Sequence, residues 1–70
     1  MPDAEMEARH IAKFEEIAAH LLQMRAQWEG RLLSHAGAAG MVAALDRQIA
    51  INEDLLCLAR EAAANLRRPS

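Results

Sequence analysis

The stretch MVAALDRQIAINEDLLCLAREAAANLRR, residues 41 to 68, decides the fold. Set on a heptad with Val42 at position a, it carries its eight charged residues (Asp46, Arg47, Glu53, Asp54, Arg60, Glu61, Arg67, Arg68) only at e and f. A helix packed on one side shows an apolar stripe and a wide polar face. Here the proportions are inverted. Positions a and d hold Val42, Leu45, Ile49, Asn52, Leu56, Ala59, Ala63 and Leu66, while g and c hold Met41, Ala44, Gln48, Ile51, Leu55, Leu58, Ala62 and Asn65. One neighbour cannot cover both seams, so this helix is expected to lie between its own chain and something else.

The neighbour within the chain is read from the preceding residues. Phe14, Ile17, Leu21, Met24 and Trp28 follow an a/d spacing, widened at e by Ile11, Ala18 and Leu32, and the other faces are conventionally polar. Pro2 suits a first helical turn, and Asp3, Glu5 and Glu7 put negative charge at the positive end of the helix. Gly30 costs about 1 kcal/mol against Ala inside a helix, so the turn from Arg31 to Ser34 should fray or bend. Gly37 and Gly40 follow, and either can take the left-handed conformation that ends a helix.

The expected architecture is therefore all-α, an antiparallel two-helix hairpin forming one domain over residues 1–70. Helix 1 spans about 3–34, the turn 35–39 and helix 2 about 40–66, a length of roughly 40 Å at 1.5 Å per residue. Its core is assigned to Phe14, Ile17, Leu21, Met24 and Trp28 against Val42, Leu45, Ile49, Leu56 and Ala59. Large residues then meet small ones at the open end, Phe14 opposite Leu56, Ala59 and Ala63. Periodicity leaves either seam of helix 2 eligible to face helix 1. Asn52, in mid-seam, reads equally as a register device or as a hydrogen-bonded edge residue.

Composition narrows the function. Seventy residues lie near the lower limit for a chain standing on a single core, so a partner is expected. The formal net charge of −2 leaves no basic footprint for nucleic acid. No run is long enough to span a bilayer, and the acidic start is unlike a secretory signal. The lone Cys57 excludes an internal disulfide, and the chain is expected in the cytoplasm of a bacterium.

Catalytic signals are missing: there are no paired carboxylates facing a pocket, no nucleophile with a flanking base and no phosphate-cradling loop. Glu16 and His20 share a face at i, i+4 but make no metal site by themselves. No enzyme activity, cofactor or metal is expected. The docking surface is assigned to Met41, Ala44, Ile51, Leu55, Leu58 and Ala62, open either to a different protein or to a second copy.

A short acidic helix, a Gly-containing turn after paired leucines (Arg31-Leu32-Leu33-Ser34-His35-Ala36-Gly37), and one uninterrupted helix closing on Ala64-Asn65-Leu66 make a recognisable pattern. Over roughly residues 14 to 66 it resembles the small type III secretion needle co-chaperones of the YscE, PscE and AscE kind. The resemblance implies a cytoplasmic hairpin that joins a TPR-like chaperone and keeps the needle subunit soluble. It carries no catalytic motif. The rival expectation is a small dimeric regulatory inhibitor, of phage or plasmid type, that blocks a host protein.

Overall fold

The computed structural model describes the backbone of residues 2–67 and the side chains of residues 5–66. Two helices make up the fold: α1, Pro2–Glu29, and α2, Ala38–Arg67. The described residues contain no strand. The hairpin measures 56 × 14 × 11 Å, and its radius of gyration is 16.2 Å. A compact domain of this length would have a radius of about 11 Å. The molecule is a two-helix rod, and its interior is one line of contact.

Along that line α2 turns its a/d seam to α1. Ala38, Leu45, Ala59 and Ala63 are buried, and Val42, Ile49 and Leu56 are half-buried. From α1, Phe14, Ile17, Leu21, Met24 and Trp28 are each half-buried. Small side chains at 59 and 63 let the backbones come close, where a larger residue would hold the helices apart. The e positions meet on one flank, as antiparallel geometry requires: Arg25 bonds Asp46 across the hairpin and Glu29 along its own helix.

Asn52 is the one buried polar residue described, 5% exposed. Its Nδ2 donates to the backbone carbonyl of Phe14 at 3.0 Å. A buried amide without a partner would cost about 1–3 kcal/mol, so this bond lets Asn52 occupy the seam at all.

The helix boundaries differ from the expected ones. α1 stops at Glu29, not near Ser34, because the chain tightens at Gly30. The Arg31 and Leu32 N–H groups reach only three residues back, to the carbonyls of Trp28 (3.0 Å) and Glu29 (3.2 Å), and the Ser34 and His35 N–H groups then converge on the Arg31 carbonyl. Leu32, expected on the apolar stripe, consequently falls in the turn and is exposed.

The turn runs over residues 30–37 where 35–39 was expected, and α2 starts at Ala38 where 40 was expected. Neither Gly37 nor Gly40 takes the left-handed conformation foreseen for them, since no glycine has positive φ. Gly37 instead caps α2, its carbonyl accepting the first helical bond from the Met41 N–H at 3.1 Å. Gly40 lies inside the helix.

Trp28 gathers this turn. The His35 ring stands edge-on to it, centroids 5.2 Å apart at 85°, and the Arg31 guanidinium carbon lies 5.1 Å from its ring centre. His35 Nδ1 accepts the Gly37 N–H at 3.1 Å, which ties the cap to the aromatic pair. The sequence Arg67-Arg68-Pro69-Ser70 is expected to end helix 2; α2 includes Arg67, and the other three residues lie outside the described residues, as do the side chains of Pro2, Asp3 and Arg67.

Candidate functional site

With the a/d seam turned inward, the second seam of α2 is left uncovered. Angularly, g and c lie beside d, so the row opens on one flank of the hairpin rather than opposite α1. The exposures follow: Met41 37%, Ile51 52%, Leu55 43% and Leu58 61%, with Ala62 exposed and Ala44 half-buried. Leucine and isoleucine at such exposure are unremarkable singly, but successive turns of one helix make a patch of them.

The row is widest at its centre, where it joins an open groove of about 230 Å³. Gln48, Ile51, Asn52 and Leu55 of α2 line one side, and Phe14, Ile17 and Leu21 of α1 line the other. Sequence spacing assigned the α1 residues to the core alone. Each is only half-buried, so a part of each remains available in the groove. The missed signal was the adjacency of g to d: any residue packed against d is also close to whatever covers g.

Polar groups frame the groove. On the α1 side, Lys13, Glu16 and His20 surround Ile17, with Lys13 Nζ 3.6 Å from the Glu16 carboxylate. Beyond the row on α2 come Arg47, Asp54 and Glu61, all exposed. The opposite flank carries the Arg25–Asp46 pair, whose hydrogen bond to Asp46 is the main cause that raises the Arg25 pKa above the usual arginine value. Exposed Cys57 sits on the solvated back of α2, away from the row.

Other large apolar groups outside the row are Met6, Leu22, Leu32, Leu33 and Leu66, all exposed. The first four lie on α1 or in the turn, Leu66 lies in the last turn of α2, and none of them lines the groove.

Among the described residues, no group of three or more His, Cys, Asp or Glu lies close enough to share a metal ion, and no helix is long and apolar enough to cross a membrane. The arrangement can exclude water from a second apolar surface, at roughly 25 cal/mol per Å² covered. Fold and face together define a class: an all-α helical hairpin with one of its helices apolar on two sides. Compared with known proteins, the chain matches no family model, no curated protein and no solved structure.

Proposed function

We propose that this chain is a non-catalytic protein-interaction module of the co-chaperone type. Its partner is a TPR-like chaperone of the bacterial cytoplasm, and the two together hold a type III secretion needle subunit in soluble form. The partner's identity rests on the resemblance of residues 14 to 66 to the small needle co-chaperones. The observation that carries the interaction itself is the uncovered row Met41, Ala44, Ile51, Leu55, Leu58 and Ala62, running along α2 beside a groove that α1 helps to line. A helix or groove of another protein laid along the row would cover what the hairpin leaves open.

The test is co-expression with a TPR-like chaperone and its needle subunit, followed by capture on a tag carried by the hairpin. Leu55→Asp and Leu58→Asp each place an unpaired charge in the covered centre, and each should abolish capture. Helix content should barely change, since both residues are exposed in the hairpin, Leu55 at 43% and Leu58 at 61%. Undiminished capture by both variants would remove the row from the interface.

A further inference from the structure

We propose that the free chain closes the α2 row on a second copy of itself, as an antiparallel pair of α2 helices related by a two-fold axis. This rests on reading the row as a docking surface, and not on which other protein the row serves.

The first argument is area. The hairpin exposes 5474 Å². A compact protein of 7.7 kDa exposes about 4,300 Å², so about 1,100 Å² is in excess. A standard-size interface covers about 800 Å² on each partner. The surplus is enough for one such interface, and in the row Met41, Ile51, Leu55 and Leu58 form an apolar strip beside the groove to put into it.

The second argument is register. Antiparallel helices pair unlike core positions, here c against g, and the alignment that uses the whole row sets Ile51 against Leu55 of the second copy. Gln48 then meets Leu58, Ala44 meets Ala62 and Met41 meets Asn65, each pairing occurring twice. No charged residue enters the seam.

The third argument is charge. In this alignment the f positions of the two copies face each other beside the seam. Arg47 comes opposite Glu61 of the second copy at two symmetric places, while Asp54 meets its own copy across the axis. Two attractive pairs outweigh one repulsive pair, and Arg47, Asp54 and Glu61 are all exposed and free to make them. The α2 seam is therefore uncharged along its whole length in this alignment, and the charges of α2 beside it are nearly self-complementary. One group, Asp54, holds the pair below its greatest strength. A dimer weakened in this way can give up its subunits to a better-fitting partner.

The experiment is sedimentation equilibrium on the purified full chain alone, at roughly 5 to 200 μM, the range in which a modest interface of this size dissociates. The wild type should be a reversible dimer. Arg47→Glu should weaken it by roughly tenfold, as two attractive pairs become repulsive, and adding Glu61→Arg should bring it back to within about threefold. Asp54→Asn should tighten it severalfold. All three substitutions lie on the solvated side, so the hairpin itself should fold in each. A monomer throughout the range overturns the proposal, and so does a dimer indifferent to the Arg47 and Glu61 exchange. A monomer that still captures the chaperone on co-expression separates failure of this inference from failure of the proposed function. A dimer that follows the charge exchange yet captures no chaperone supports the self-association and removes the other.

Discussion

At the scale of single residues, Asn52 does something an apolar residue in its place could not: its amide is bonded to the Phe14 carbonyl across the hairpin. That carbonyl is inside α1 and already receives an N–H from its own helix, so the asparagine uses a second lone pair. Asn52→Ala should destabilise the hairpin by about 1–2 kcal/mol, through the lost bond and the small void. Asn52→Leu should cost less or even stabilise, because the carbonyl keeps its helical partner. Urea unfolding followed by circular dichroism measures both. If leucine proved as damaging as alanine, the amide's shape rather than its bond would be what matters. The sequence showed Asn52 standing in the seam, but spacing has no means of finding its acceptor, a main-chain atom of the other helix.

The ion pair between Arg25 and Asp46 calls for a different test. Raising an arginine's pKa adds stability that is fully present below its ordinary value and lost only as pH climbs through the raised one. Arginine titration therefore contributes no slope to stability between neutral and mildly alkaline pH. Salt, rather than alkali, is what weakens an exposed pair. A double-mutant cycle with Arg25→Gln and Asp46→Asn should show a favourable coupling at low ionic strength that fades in about 1 M salt, where screening acts within about 3 Å. A coupling insensitive to salt would mean that the pair is shielded from solvent. Sequence spacing left this pair unassigned, although residues 25 and 46 both fall at e and an antiparallel hairpin brings e to e.

At the scale of elements, α2 was readable at almost every turn, because its two apolar rows and its confined charge repeat without interruption from Met41 to Leu66. Which row faced inward was not readable, since both have helical spacing. The structure separates them by fit: the buried row has alanines at 59 and 63 near the open end, and the uncovered one has leucines at 55 and 58. The turn was read less well, for a local reason. Gly37 and Gly40 look alike in sequence, but one caps a helix and the other lies within it, and Gly30 had already ended α1.

These roles give the two glycines opposite expectations. A Cβ at Gly40 would meet nothing within 4 Å, so Gly40→Ala should stabilise by about 0.5–1 kcal/mol, the usual difference within a helix. At Gly37 a Cβ would come within 3.3 Å of the His35 ring, which is held by its bond to the Gly37 N–H and its contact with Trp28. Gly37→Ala should therefore push the ring, perturb the environment of Trp28 and destabilise. Tryptophan fluorescence together with thermal melts distinguishes the two cases. Equal effects at the two sites would contradict the cap assigned to Gly37.

At the scale of the whole molecule, a rod 56 Å long has little interior, and the described residues include no large side chain that is fully buried. Its core is a line of alanines with Leu45 and Asn52, flanked by half-buried residues of both helices. Such a hairpin draws part of its stability from whatever covers α2. Folding linked to association makes stability depend on concentration, because only the folded form pairs. For a dimer of two 70-residue chains, with an unfolding entropy of about 2.1 cal/mol/K per residue, the melting temperature should rise by about 5 °C per tenfold increase in protein. Thermal melts of the isolated chain at several concentrations measure that slope. A melting temperature that stays constant would place the whole stability in the single hairpin, leaving the apolar row uncovered and unnecessary to folding. A slope of the expected size would make covering the row part of folding itself, and Leu58→Asp should then flatten the slope and lower the melting temperature at every concentration.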